Sequence, residues 1–315
     1  MASYLLVPLG AYLAFRQQRA RRPEVGYGAA AFVRYCVPWS IFTNPSCRLD
    51  VLFVVVKHFV NHWLLLPLLL SSALTANVAY RLLVAGFGER ISHTPGVPLT
   101  VALLAVCVLA QDFVQFLFHY LLHKVRLLWY VHQVHHSSEF LLFSFSVKRT
   151  HFLEEVFNLS LTSGVIGLLI GAMSFTFAIP IWKSELFGVD AWFLVHLFSF
   201  WHLRHSHMGL SYGWLESILQ SPAQHQLHHS VENEHWDKNF GLLFSFWDRL
   251  FGCFLRSLPP ENFRLGLPQA DRGDYDSVLK LFFMPFWKIG KAVLNDHGGQ
   301  LPGVSIGQLP GVSIR

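Results

Sequence analysis

VPLTVALLAVCVLAQDFVQFLF (97–118) runs without a break into HYLLHKVRLLWYVHQVHH (119–136). The first part is an apolar block long enough to cross a bilayer, which takes about 20 helical residues. In lipid its backbone groups must bond within the segment, so the block reads as a helix. The second part carries His119, His123, His132, His135 and His136. Residues i, i+3 and i+4 stack on one helix face. HxxxH (119–123) and HxxHH (132–136) can therefore each aim two or three imidazoles at a single point.

The rest of the chain extends both features. Residues 156–181 form a second apolar block, with Gly164, Gly167 and Gly171 spaced for close helix packing. Residues 186–201 form another. Residues 51–86 are apolar apart from Lys57, His58, Asn61, His62 and Arg81, long enough for one tilted helix or a tight hairpin. Residues 1–15 are apolar and are followed by Arg16, Arg19, Arg21 and Arg22. A signal peptide places its charges first, so this segment reads as a short or tilted helix or an interfacial anchor. Composition agrees, with 53% apolar and 14% charged residues, against roughly 25% charged in a soluble domain. The expected fold is all-α: an integral membrane protein of about four to five spanning helices with a cytosolic, histidine-rich helical cap.

Lys and Arg set the orientation. Segments 16–50, 119–155 and 202–315 are the basic ones, which puts them together in the cytosol. That path needs 51–86 to act as one crossing and 156–201 as a hairpin. It divides the chain into N-terminal membrane helices with a basic loop (1–100), a histidine domain (101–258), a cytosolic extension (259–296) and a tail (297–315). The tail repeats GQLPGVSI at 299–306 and 307–314; it is too rich in Gly and Pro to form a core, so disorder is expected. No basic stretch is interleaved with aromatics, so no nucleic-acid partner is indicated. Cys36, Cys47, Cys107 and Cys253 are scattered and form no CxxC pair, which argues against a thiolate metal site.

A third cluster, HxxHH, holds His225, His228 and His229. Imidazole suits iron, zinc, copper and nickel. Eight histidines exceed the four ligands of one tetrahedral zinc. They fit two metals with about four nitrogens each and positions left open, as O₂ chemistry on a redox metal requires. Soluble di-iron bundles use Glu and ExxH ligands, and no such motif lies near these clusters. A non-catalytic metal-binding or transport protein is the alternative. Transporter sites, however, lie near the bilayer midplane, whereas these clusters sit at or beyond the ends of the spans.

HxxxH, HxxHH and a distant HxxHH resemble the fatty acid hydroxylase / sterol desaturase superfamily. HQVHHSSE (132–139) is similar to its second box. SPAQHQLHHS (221–230), DKNFG (237–241) and WDRLFG (247–252) are similar to its third box and the segment after that box. The resemblance covers roughly 105–255 and implies that His119, His123, His132, His135, His136, His225, His228 and His229 bind metal. It also implies one or two ligands in FWHLRHSHM (200–208). His205 is the best match, although His207 stands where the family usually has Asn, which leaves His202 and His207 open. RTHFLE (149–154) resembles an Arg-x-His-Pro-x-Glu pattern with Phe152 in place of Pro, which makes His151 a ligand or a support behind one. Asp112, seven residues before His119, is placed to orient an imidazole or to bond another helix. Asp237 and Asn239, with Trp247 and Asp248, are expected to order the segment after the third box. His58 and His62 face a polar cavity or the interface in this reading and are not ligands.

The function that the resemblance implies is that of an O₂-dependent, membrane-bound di-iron oxidoreductase. It would hydroxylate or desaturate a C–H bond of a sterol or fatty acyl chain, in the endoplasmic reticulum or a bacterial inner membrane. The segment 221–252 is also similar to the alkylglycerol-cleaving branch, which uses a reduced pterin. Neither a fused b-type cytochrome nor a GxGxxG fingerprint occurs. Electrons would then come from a separate b-type cytochrome or a ferredoxin with its reductase.

Overall fold

A computed structural model describes residues 6–61, 71–179, 200–257 and 263–297. Among these residues the fold is all-helical, with isolated bridges only at Leu219–Phe244 and Ser230–Leu265. The N-terminal helices are α1 (Val7–Arg21), α2 (Gly28–Cys36), α3 (Ser40–Thr43) and α4 (Pro45–Val60). The central ones are α5 (Ser72–Phe87), α6 (Val97–Lys124), α7 (Arg126–His136) and α8 (Phe152–Phe177). After residue 200 come α9 (Pro222–His228), α10 (Phe246–Leu250) and α11 (Val278–His297).

Among the described residues two helices are long and apolar enough to cross a membrane, α6 with 28 residues and α8 with 26. At 1.5 Å per residue they reach about 42 and 39 Å, beyond the roughly 30 Å hydrocarbon layer. They run antiparallel: Leu103 packs against Met173 and Ile179, while Gln115 Nε2 donates to Thr162 Oγ1 at 2.8 Å. Their outward faces present apolar side chains such as Val101, Val106, Leu161 and Leu168. The expectation of four to five spans meets two among the described residues. α1, α4 and α5 have only 15, 16 and 16 residues. The expected 186–201 span lies mostly outside the described residues, as do His62 and the repeat tail.

Of the single crossing expected over 51–86, the structure describes α4 and α5, and residues 62–70 between them lie outside the described residues. α4 lies at the histidine end, where Lys57 Nζ pairs with Glu155 at 2.9 Å and Asn61 donates to the same carboxylate. α5 then runs parallel to α8 toward the far end, where Phe87 meets Phe175 and Arg90 donates to the Thr176 carbonyl. Lys57, Asn61 and Glu155 thus gather charge and amide groups at the end of α4.

α5 approaches α8 closely because α8 carries Gly167 and Gly171, four residues apart. A Cβ on Gly167 would lie 1.8 Å from Thr75 Oγ1, and one on Gly171 would lie 2.5 Å from the Ala76 carbonyl oxygen. Small residues at this spacing let helices touch backbone to backbone. Gly171→Ala is expected to destabilise the solubilised protein by about 1–3 kcal/mol through overpacking. Thermal unfolding in detergent checks this, and an unchanged midpoint would mean that α5 is not held against α8.

The three basic segments do gather at one end. α1 buries Ala11 and Ala14 against Leu203 and Leu210. Arg149, just before α8, pairs with Asp50 of α4 and donates to the Tyr275 carbonyl. α11 packs on α4 and α7 through Phe53, Val134, Leu281 and Phe282. These packed segments surround all three histidine clusters.

Candidate metal centre

Nine histidines form two groups. His119, His123, His132, His136 and His228 make the first, and His135, His205, His225 and His229 the second. Within each group the ligand nitrogens lie within 4.8 Å of one another. Seven of the nine side chains are buried, and His119 and His123 are partly so.

The boxes do not map one to one onto the groups, contrary to the expectation that each aims at a single point. Every i, i+4 pair stays together: His119 with His123, His132 with His136, His225 with His229. The i+3 members cross over, His135 to the second group and His228 to the first. Helical geometry explains the split. Successive residues turn by about 100°, so i+4 points roughly 40° from i, while i+3 points roughly 60° the other way. Two HxxHH boxes facing each other therefore build two adjoining groups, and the His136 and His229 rings stack across the join at 4.5 Å.

Local sequence sets each carrier. α6 ends at Lys124 and the chain turns at Val125, whose extended backbone precedes α7; the turn folds His132 and His136 back onto His119 and His123. SPAQ starts α9 as a capping box. Ser221 Oγ accepts from Gln224 N, the Gln224 side chain accepts from Ser221 N, and Pro222 sits where no N–H is needed. The fully buried Glu216 accepts from Ser221 Oγ at 2.7 Å and from Ser257 N at 2.9 Å. It fixes the start of the helix that carries His225 and His228.

The nitrogens are poised as ligands. A carbonyl can only accept, so His119 Nδ1 (3.0 Å from Phe240 O) and His228 Nδ1 (2.8 Å from Lys238 O) carry the protons. Their Nε2 lone pairs point inward, and those atoms are buried without a hydrogen-bond partner, as is His132 Nε2. In the second group His205 Nε2 lies 3.0 Å from His135 Nε2 and 2.8 Å from His225 Nε2, which is 3.3 Å from His229 Nε2. Nitrogens about 2.0–2.1 Å from one ion stand roughly 2.9–3.4 Å apart at right-angle to tetrahedral spacing. The donor set therefore fits a metal ion in each group. Burial pushes His132 and His135 down to about 3 and lowers His136, His205, His225, His228 and His229 well below the usual imidazole range, with neighbouring imidazolium repulsion adding to it for all but His132. At neutral pH they are unprotonated, as metal ligands must be.

The loop after the third box supplies the supporting carbonyls. Asp237 and Asn239 adopt left-handed backbone conformations, φ 56° and 59°, which Asp and Asn tolerate better than most residues. The alternation turns the Lys238 and Phe240 carbonyls toward His228 and His119. Asn239 holds this shape by donating to the Gln224 carbonyl (3.2 Å) and accepting from Leu255 N (2.8 Å). Asp248 accepts from Phe240 N at 2.6 Å and Gly241 N at 3.0 Å. The buried Arg204 donates to the Gly241 and Leu242 carbonyls.

Asp112 corrects one expectation. It touches no imidazole. Its carboxylate accepts from Leu243 N (2.7 Å), Phe244 N (3.2 Å) and Trp247 Nε1 (2.9 Å), so it pins this same loop to α6. Asp237 pairs with Lys124 at 2.7 Å and stands 3.7 Å from His123 Nδ1. His151 is in neither group: its Nε2 bonds the Phe282 carbonyl (3.0 Å) and its Nδ1 caps α8 at Leu153 N. His207 Nε2 bonds the Tyr35 carbonyl at 2.8 Å, and His202 also lies outside both groups. Of the three candidates in 202–207, the geometry brings only His205 to the site.

Glu154 was not singled out from the sequence, although RTHFLE contains it. Its buried carboxylate lies 3.0 Å from His132 Nδ1, off the line of an ideal hydrogen bond. Such carboxylates fix the tautomer and raise the basicity of a ligand. Glu154→Gln is expected to weaken metal binding or turnover about 10–100-fold, measured by metal titration of the purified protein. Unchanged affinity and turnover would remove Glu154 from this role.

A cavity of about 260 Å³ opens beside His123, His136 and His228, walled by Trp129, Trp236 and Leu267.

The fatty acid hydroxylase family model matches residues 104–253, a stretch that contains all nine histidines. An alkylglycerol monooxygenase of Danio rerio is 31% identical over 146 residues, 46% of this chain and 29% of the relative. A cholesterol 25-hydroxylase-like protein of the same species is 25% identical over 239 residues, 72% of this chain and 88% of the relative. An ornithine lipid hydroxylase of Rhizobium tropici is 29% identical over 157 residues, 50% of this chain and 43% of the relative. The chain thus matches less than a third of the alkylglycerol monooxygenase. No solved structure matches it.

Proposed function

We propose, for a chain whose residues 104–253 belong to the fatty acid hydroxylase superfamily, that it is a multi-pass membrane oxidoreductase that hydroxylates a lipid with O₂. The observation that carries this reading is the pair of adjoining all-histidine groups at the end of two helices long enough to span a bilayer. We assign iron to both groups, as five and four neutral imidazoles suit it and leave coordination positions free on at least one ion. Bound there, the two irons would supply O₂ activation.

The chain's own groups do the rest. The Phe240 and Lys238 carbonyls hold the rings of His119 and His228 in one tautomer, and the Glu154 carboxylate lies beside His132 Nδ1. Burial of the second group keeps water from it. The cavity beside His123, His136 and His228 admits the reacting part of the lipid, and the aromatic walls at Trp129 and Trp236 exclude water there. Electrons come from a separate b-type cytochrome or a ferredoxin with its reductase. The site faces the cytosol, in the endoplasmic reticulum or a bacterial inner membrane.

The test is to express the chain in cells fed candidate sterols, fatty acyl lipids and alkylglycerols under ¹⁸O₂. A lipid gaining one ¹⁸O only in cells carrying the intact chain is the expected result. No oxygenated or desaturated lipid from a chain reconstituted with iron, reductant and donor would contradict the reading. The match to alkylglycerol monooxygenases favours ether lipids as the second substrate class. Cleavage of an alkylglycerol dependent on reduced pterin would select it.

A further inference from the structure

The sequence alone assigns residues 259–296 to a cytosolic extension, yet α11 has two apolar faces. One is spent inside the protein. Leu281 and Phe282 are buried in the core with Phe53 and Val134. The buried Lys288 Nζ donates to Gln133 Oε1 at 3.1 Å and pairs with Asp271 and Asp274 at 2.7 and 2.8 Å. The other face carries Leu279, Phe283, Phe286, Trp287 and Leu294, and Leu279, Phe283 and Leu294 are 70, 63 and 73% exposed. These residues fall within an arc of about 100° at 100° per residue. A water-facing arc that rich in Phe, Trp and Leu needs a non-aqueous partner.

We propose that α11 is a membrane-surface helix, with this outer face seated in the cytosolic headgroup layer. The proposal rests on α6 and α8 spanning the bilayer. Three observations choose lipid over a second protein. First, α11 sits at the level where α8 leaves the cap: His151, the residue before α8, bonds the Phe282 carbonyl at 3.0 Å, and Phe152 meets Phe286 at 6.0 Å. Second, the elements that α11 packs against or lies beside also expose large apolar side chains, Phe59 of α4 and Phe157 of α8. Third, Lys291 borders the arc, its Nζ 5.1 Å above the Trp287 ring, and Lys280 lies on the same edge, paired with Asp276 at 2.9 Å. A lysine such as Lys291 beside an aromatic and aliphatic face suits a helix lying in the interface, where its ammonium reaches the phosphates.

The consequence reaches the metal groups. Gln133 belongs to α7, between His132 and His135 and His136, and also accepts from Tyr275 Oη at 2.9 Å. The surface helix thereby holds α7 at a fixed distance from the headgroups.

The test places the photoreactive residue p-benzoylphenylalanine at position 283, 294 or 295 of the full chain in phosphatidylcholine–phosphatidylglycerol liposomes. Position 101, on the outer face of α6, is the reference. The expected result is lipid adducts at 283, 294 and 101 and none at 295, which lies toward the polar side. Adducts at 101 without any at 283 or 294 would overturn the proposal and leave the spans standing. Cross-links between two chains at 283 in place of lipid adducts would overturn it in favour of a dimer face. No adduct at 101 would remove the spanning reading and the proposal with it.

Discussion

His228→Ala is expected to abolish the proposed lipid oxidation while the chain still inserts in the membrane. His228 sits on α9 beside two residues of the second group, but its ring lies 4.5 Å from that of His119, 4.8 Å from His123 and 4.7 Å from His136. It is the one link by which the third box completes the first group. Its loss removes an inward lone pair and strips the Lys238 carbonyl of its donor. Residues that only support a ligand typically cost 10–100-fold, so removing a ligand is expected to cost more than about 100-fold. Product formation in membranes, normalised to inserted protein, measures it. His207→Ala is the control: His207 bonds the Tyr35 carbonyl and belongs to neither group, so turnover should stay near that of the intact protein. Undiminished turnover in His228→Ala would take His228 off the ligand set.

The second large effect concerns stability. Arg149 and Asp50 are 1 and 0% exposed and meet at 2.6 Å. Arg149 also donates to Ser137 Oγ at 2.8 Å, one residue past His136, and to the Tyr275 carbonyl at 3.1 Å. Asp50 accepts from Ser138 and Ser146 as well. One buried pair thus ties α4, the end of α7, the approach to α8 and the segment before α11. Arg149→Met leaves the Asp50 carboxylate buried without its counter-ion, a loss of about 3–5 kcal/mol. Asp50→Leu/Arg149→Met removes both charges and should recover part of that. Thermal unfolding of the solubilised variants decides it. A single variant as stable as the parent would mean that the pair is not buried in the folded protein.

The physics of each feature decides how much of it was legible beforehand. The box histidines announce themselves because metal ligation needs a rare residue at short helical spacing. Their division into five and four was not legible. It depends on two boxes facing each other, and the sequence says nothing of which face meets which. His205 was reached through its surroundings, and the geometry separates it from His202 and His207. The carbonyls of Lys238 and Phe240 escape any reading of side chains, though the Asp and Asn at 237 and 239 were a signal of an unusual backbone. Asp112 was recognised as a charge needing a partner, but the partner was a loop more than 130 residues away. The two apolar faces of α11, on opposite sides of the helix, were hidden by the mixed composition of 278–297.

The most direct measurement is the metal content of the detergent-purified chain after anaerobic loading with ferrous iron, beside His135→Ala/His228→Ala, which strikes one ligand from each group. About two irons per chain in the parent and a clear loss in the variant is the expected result. An intact, folded parent that binds no metal, or a variant that retains both ions, would contradict the two-group metal centre on which the account stands.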